Sequence, residues 1–351
     1  MVSETIKACL QCGACAHVCN AGVEVDAIIR ETRALGGAKS SPPWWLKSIF
    51  ANPKAVEQAA SFASRHPYAA GLGLRLLGAQ FGQEAQKMAD FLAKEPFLSS
   101  QDVEIKGNKN GPTVLFFVGC IQNLCFTEAA KAILELLLAG GFQVFLPRNQ
   151  GCCGMALFSA GAFAEAKKAA AHNLQIIMKQ RPDFIVTGCA TCASMISKWG
   201  ELFGDDDPLN QAAVDFGKKV YEFSAFIKDH LDVDAVKRAS WSEGKRVAYH
   251  LPCHQKYGLK QEKSSPQLLT KAFGEDFVEM DQGCCGQGGL FGLGHPKESH
   301  VLAERRVQSA EDVRASLVVT TCSGCLLQWK MAIKKENAGL KACHLAEVLN
   351  W

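Results

Sequence analysis

Sixteen cysteines stand in this 351-residue chain, at 9, 12, 15 and 19, at 120, 125, 152, 153, 189 and 192, and at 253, 284, 285, 322, 325 and 343. A chain of this length can build a core without covalent staples, so thiols at short, regular spacings point to metal binding or redox chemistry before a disulfide framework. The first group, Cys9-x2-Cys12-x2-Cys15-x3-Cys19, has the spacing of the ferredoxin run for a 4Fe-4S cluster. Three thiolates so close in sequence can cap three irons from one tight loop, which Gly13 relieves. A zinc knuckle is the plainer alternative.

The other two groups are copies of each other. Cys120, Cys152, Cys153, Cys189 and Cys192 recur as Cys253, Cys284, Cys285, Cys322 and Cys325 at offsets of 133, 132, 132, 133 and 133 residues. Gln150-Gly-Cys-Cys-Gly154 returns as Gln282-Gly-Cys-Cys-Gly286, and IVTGCATC (185–192) as VVTTCSGC (318–325). Five converging thiolates exceed what a tetrahedral zinc site uses, and iron-sulfur clusters are the soft-ligand alternative. Gly151, Gly154, Gly283 and Gly286 would let the backbone turn beside a bulky cofactor. A zinc-ribbon-like site or a vicinal disulfide in each copy remains open at this point.

The elements that must position these thiols alternate in type. In the first copy, strands are expected over 113–118, 142–146 and 183–188, with helices over 127–140 and 161–180 between them. Stretches 246–251, 277–280, 296–313 and 316–321 take the equivalent places in the second. Strands alternating with helices predict an α/β fold with two duplicated small domains on parallel sheets, behind an N-terminal helical segment. Ligands in such sheets sit beyond the carboxyl ends of the strands, which is where each repeated cysteine falls. The expected units are 1–35 (ferredoxin-type segment), 36–110 (helical linker region), 111–240 and 241–351.

Both halves resemble the cysteine-rich CCG domain of the heterodisulfide-reductase and glycolate-oxidase iron-sulfur subunit families, with gaps of 31 and 35 residues in the first copy and 30 and 36 in the second. The flanking stretches FVGCIQNLCFTEAAKAILELLLAGGFQVFLPRNQGCCG and YHLPCHQKYG resemble the glycolate and lactate oxidase branch. Glycolate-oxidase relatives often lack the first cysteine of the second Cys-x-x-Cys, whereas this chain has Cys322. The resemblance implies one or two noncubane 4Fe-4S clusters in the CCG domains, beside the N-terminal one. It also implies an oxidoreductase subunit that passes electrons from an FAD-containing subunit, acting on glycolate or D-lactate, to a quinone or another carrier. A further iron-sulfur or membrane quinone-reactive subunit would complete such a complex. The alternative it offers is a disulfide reductase, with the two five-cysteine sets as the catalytic centre.

Related subunits carry two ferredoxin runs, and CLQCGACAHVCNAGVEVDAIIRETR resembles their second, with Asn20 in place of the customary Pro. The fourth ligand of that cluster is then Cys19, a partner's residue, or one of the two remaining cysteines, Cys125 and Cys343. Small buried hydrophobes are the plainer reading of those two. His250, His254 and His344 could tune a cluster through hydrogen bonds, and His254 is counted among the cofactor contacts. Pro42-Pro43-Trp44-Trp45 suits packing between domains, or a membrane or partner surface.

A formal net charge of +3 gives no nucleic-acid footprint. The most apolar stretches, 132–146 and 69–79, are interrupted by Glu135 and Arg75, and neither is long enough to span a bilayer. Without an apolar leader at the N-terminus, a cytoplasmic protein is expected, held at the inner face of the membrane only through a complex. No P-loop, G-x-G-x-x-G after a strand or Ser-His-Asp set is present, so a flavin would sit on another subunit.

Overall fold

The computed structural model describes residues 2–36, 87–101 and 105–350, with isolated positions between 52 and 84. The Trp44-Trp45 pair and most of the expected helical linker lie outside the described residues. The first half carries strands β1 (Ile105–Gly107), β2 (Thr113–Phe116), β3 (Gln143–Phe145), β4 (Phe184–Thr187) and β5 (Val220–Glu222) in the order β1-β3-β2-β4-β5. Four of them are parallel, and β1 pairs antiparallel with β3. After the short β6 (Lys237–Arg238), the second half repeats the parallel core: β7 (Val247–Tyr249), β8 (Phe277–Val278), β9 (Leu317–Thr320) and β10 (Lys341–His344) lie in the order β8-β7-β9-β10. The expected α/β class with duplicated parallel sheets is the one observed.

Three strands extend the sequence reading. Residues 105–107, at the end of the region expected as a helical linker, form β1, which covers the free edge of β3; Gly107 permits this at φ 94, where a Cβ would meet the Phe142 carbonyl at 2.3 Å. Each sheet also gains an outer strand, β5 in the first and β10 in the second, whose mixed charged and apolar residues lack the continuous apolar run of the central strands.

The strands bury both faces, as parallel sheets do. Val114, Phe116 and Val186 face one core with Val247, Tyr249, Leu317 and Val319 of the second half, while Leu115, Phe117 and Ile185 face another. Around the shared core the helices are exchanged. The helix after β5, Phe223–His230, packs on Ser264–Phe273 of the second half, and the one after β10, Leu345–Val348, packs on Thr127–Ala139 of the first. Helix Phe163–Gln180 covers the outer face of the first sheet with Ala166, Ala170, Leu174 and Ile177, and stops at Arg181 (φ 46) before Pro182.

Helices Val2–Lys7, Ala14–Val18 and Val25–Leu35 form the N-terminal segment, which two arginines tie to the first half, Arg30 over the Phe158 ring and Arg33 through backbone carbonyls. The buried Arg33 guanidinium donates to the carbonyls of Ile6, Lys7 and Cys9, at 2.6 Å for Cys9, and to Ser159 O at 2.6 Å. Gly161 lets helix Val25–Leu35 approach, since a Cβ there would lie 2.6 Å from Ala34 N.

Candidate metal centre

The repeated cysteines occupy equivalent places beyond the strand ends. Cys120 opens the helix after β2 and Cys253 precedes the turn after β7; the Cys-Cys pairs lie in the loops leaving β3 and β8; Cys189 and Cys322 cap the helices after β4 and β9. Those caps have near-identical backbones (φ −132, ψ 109 and φ −132, ψ 117), so Cys192 and Cys325, three residues on, face the same way as the caps. Order β3-β2-β4 makes β2 the strand from which the chain departs first to one side and then to the other, the switch point at which α/β sheets bind ligands.

The loop that carries each Cys-Cys pair is clipped by the repeated glutamine. Gln150 Oε1 accepts from Val118 N at 2.7 Å while its Nε2 donates to Phe116 O and Pro147 O. Gln282 does the same in the second half, accepting from Leu251 N at 3.0 Å and donating to Tyr249 O and Met280 O. Asn173 then holds the first loop, accepting from Gly151 N and donating to Cys152 O; Arg306 holds the second through Asp281 O.

All ten cysteines line one cavity of about 170 Å³. Their sulfurs form an unbroken string of contacts: 120 to 152, 153, 192 and 189 in the first half, then across to 322, 325, 285, 284 and 253 in the second. Cys189 Sγ and Cys322 Sγ meet at 4.0 Å where the halves join, and Cys285 Sγ lies 3.2 Å from Cys325 Sγ. The N-terminal run docks at one end of the string, with Cys12 close enough to Cys284 for their charges to interact and Leu10 in the cavity wall. Cys9 accepts from Gln11 N and Nε2, and Cys15 is the exposed member of that run.

The donor set fits iron-sulfur chemistry. Hydrogen bonding between neighbouring sulfurs, and then burial, pushes the Cys120, Cys153, Cys192, Cys253, Cys285 and Cys325 thiols up, and among the described residues the cavity wall carries no lysine, arginine or carboxylate. Seven of the ten cysteines are buried and three half-buried, a sulfur cluster that bound metal would compensate, and ten sulfurs exceed the eight that two tetrahedral zinc sites would use. Gln122, 1% exposed, leaves both amide atoms without a partner while lining the same cavity. Residues fitted to a bound group would look like this.

Several expectations are corrected. Gly151, Gly154, Gly283 and Gly286 do not line the cavity. Gly154 (φ 93) and Gly286 (φ 90) instead let their loops pack on helix backbone: a Cβ would meet Ala166 O at 3.4 Å and Ser299 O at 2.5 Å. Their share in the site is an amide, since Gly154 N donates to Cys152 Sγ and Gly286 N to Cys284 Sγ, both at 3.4 Å. Gly286→Ala is accordingly expected to destabilise the chain by about 2 kcal/mol and to lower iron retention, checked by thermal melting and iron analysis. Cys125 and Cys343 stand outside the cavity: Cys125 packs against the buried cluster that includes Phe126, Ala129 and Trp329, with its thiol pushed up to about 12 by burial, and Cys343 is packed in the shared core. Neither is placed to complete the N-terminal site.

The histidines divide. His254 lines the cavity, but its Nδ1 pairs with Thr191 Oγ1 at 2.8 Å, and Thr191 in turn lies 3.2 Å from Cys322 Sγ, so the imidazole reaches that sulfur through a hydroxyl of the other half. His344 Nδ1 accepts from Ala346 N, which leaves Nε2–H to donate to Gly188 O, beside Cys189, at 2.7 Å. Thr191 and Gln122 were not singled out from the sequence. Gln122 carried a signal, since it recurs as Gln255 at the 133-residue offset.

Comparison with known proteins agrees with this geometry. Residues 114–197 and 247–330 each match the CCG cysteine-rich domain. Lactate utilization protein A of Oceanobacillus iheyensis is 29% identical over 239 residues, 68% of this chain and 96% of that protein. The proteins of the same name from a Geobacillus species and from Shouchella clausii are 30% and 29% identical over 239 residues, 68% of this chain and 98% of each. About a third of this chain thus lies outside the match. Among the described residues no helix is long and apolar enough to cross a membrane. With two matched CCG domains and relatives covered almost end to end, the chain belongs to the family of CCG cysteine-rich-domain proteins that includes lactate utilization protein A.

Proposed function

We propose that this chain is the iron-sulfur electron-transfer subunit of a flavin-dependent 2-hydroxyacid oxidoreductase complex, acting on lactate or glycolate through an FAD-containing partner and delivering to a quinone or another carrier. The relatives' name favours lactate. Cys9, Cys12, Cys15 and Cys19 would hold one 4Fe-4S cluster; Cys120, Cys152, Cys153, Cys189 and Cys192 a second; Cys253, Cys284, Cys285, Cys322 and Cys325 a third, the latter two noncubane. Bound clusters would supply one-electron transfer, which the two-electron oxidation of a hydroxy acid requires downstream of a flavin.

The observation that carries the reading is the sulfur string running from Cys120 to Cys253, with Cys12 beside Cys284. The chain's own residues keep that path short and dry. Leu10, Met155, Leu290 and Leu293 close its walls, and Gly154 and Gly286 amides and the Thr191 hydroxyl direct donors at sulfur. Anaerobically purified chain is expected to hold about 12 iron and as much acid-labile sulfide, at four per site, and to be reduced by lactate only when an FAD-linked lactate dehydrogenase is added. Zinc in place of iron, or iron that no flavoprotein reduces, would overturn this assignment.

A second reading, disulfide reduction, is favoured by one feature: two complete five-cysteine sets open on the same cavity and touch at Cys189 and Cys322. Turnover of a mixed thiol disulfide by the chemically reduced chain would select it; inertness would leave the electron-transfer role.

A further inference from the structure

The two halves place different rings at a matched position, and the tryptophans beside them differ too, Trp199 Nε1 donating to Cys153 O while Trp329 Nε1 has no partner. Phe117 and His250 each sit three residues before the first cysteine of their set and are each 1% exposed. Their backbones are held alike: Phe117 N donates to Val186 O at 2.8 Å, and His250 N to Val319 O at 2.9 Å. Their rings pack alike too, Phe117 edge-on to Trp199 with centroids 6.3 Å apart and His250 edge-on to Trp329 at 5.7 Å. A phenyl ring therefore satisfies the packing of this place, and the first half uses one.

The second half instead buries an imidazole whose Nδ1 has no hydrogen-bond partner. A ring nitrogen of His250 and the sulfurs of Cys285 and Cys325 all lie within 4.8 Å of one another, the arrangement of three donors around one metal. Burying an unpartnered polar atom where a hydrocarbon ring fits is unfavourable unless something binds it. Imidazole nitrogen is also a good ligand for iron.

We propose that His250 is a nitrogen ligand of the metal centre held by the second five-cysteine set, bound on its Cys285–Cys325 edge. This rests on the reading of that set as an iron-sulfur site. It makes the two halves chemically unequal: the first set offers five thiolates, the second five thiolates and a neutral nitrogen. Nitrogen ligation alters the potential of an iron-sulfur centre, so the two sites need not be isopotential despite the duplication.

The test uses the whole iron-loaded chain, produced with 15N-histidine and examined by electron–nuclear spectroscopy in the reduced state. A 15N coupling of the strength of a directly bonded imidazole is expected in the wild type. It should vanish in His250→Phe, which restores the residue of the first half, and persist in His254→Gln. A wild-type spectrum without histidine coupling, one showing only the weak coupling of a hydrogen-bonded nitrogen, or a strong coupling that survives His250→Phe would each overturn the proposal. The labelled wild type decides alone should the variant fail to fold. Absence of iron and sulfide from the chain would instead defeat the iron-sulfur reading itself.

Discussion

A chain with Cys284 and Cys285 both changed to serine is expected to bind about 8 iron atoms where the wild type binds about 12, at four per site. The first set should survive, because its five sulfurs are held by their own clip, Gln150, and their own brace, Asn173. The N-terminal run should survive as well, since Arg33 ties it to the first half, while its contact with the altered loop is the packing of Leu10 on Gly288 and the approach of Cys12 to Cys284. What the variant removes is the middle of the path: Cys284 is the sulfur beside Cys12, and Cys285 joins it to Cys325 and onward to Cys322 and Cys189. Reduction of the first set through the N-terminal run should therefore slow by orders of magnitude. The mirror variant, Cys152→Ser with Cys153→Ser, should lose the same share of iron yet leave exchange between the N-terminal run and the second set intact. Iron and sulfide analysis with rapid-mixing absorbance on both variants checks this. Equal kinetic damage in the two would mean that the N-terminal run does not feed the second set preferentially.

The repeat made most of this legible before any coordinates. Offsets of 132 or 133 residues for all five cysteines fix that two copies exist, and strand runs such as 113–118 and 316–321 fix that each copy is an α/β unit with its thiols at one sheet edge. Repetition carries no information on how copies face each other, so the meeting of Cys189 and Cys322 and the single shared cavity could not be read from it. Two edge strands were lost for another reason. Val220–Glu222 and Lys341–His344 mix charged with apolar residues where the central strands run continuously apolar, though each supplies an outer strand of its sheet. Glycines in Gln-Gly-Cys-Cys-Gly suggested cofactor contact, whereas Gly286 answers to the Ser299 carbonyl. Arg33 reads as an ordinary basic residue near a helix end, and only the fold reveals that it binds carbonyls from both sides of an interface.

The ends of those missed strands hold the last divergence between the copies. Glu222 closes β5 and caps the helix after it, accepting from Ser224 N at 3.0 Å; His344 closes β10 and caps the next helix in the same way. Each also reaches across to the residue before the other half's Cys-x-x-Cys, His344 to Gly188 O, and Glu222 to Thr321 within a network of Tyr249, Gln255, Ser224 and Ser265. Glu222 is fully buried, its Oε1 has no partner, and burial raises its carboxyl to about 7 against the donors of Ser224, Ala225 and Thr321. Tyr249 is the titratable group beside it, with its phenol pushed up by burial and by the Glu222 charge. A carboxyl raised in the folded state from 4.5 stabilises fully at low pH and loses that contribution as pH climbs through the folded value. The shift corresponds to about 3 kcal/mol in all, of which about 2 falls between about pH 5.5 and about pH 8. Glu222→Gln keeps an oxygen for Ser224 N and removes the ionisation, so the variant should gain on the wild type in anaerobic thermal melts as pH rises across that window. A difference between the two melting curves that stays constant from acid to alkali would mean that Glu222 is already neutral throughout, or is solvated in a way its burial does not suggest.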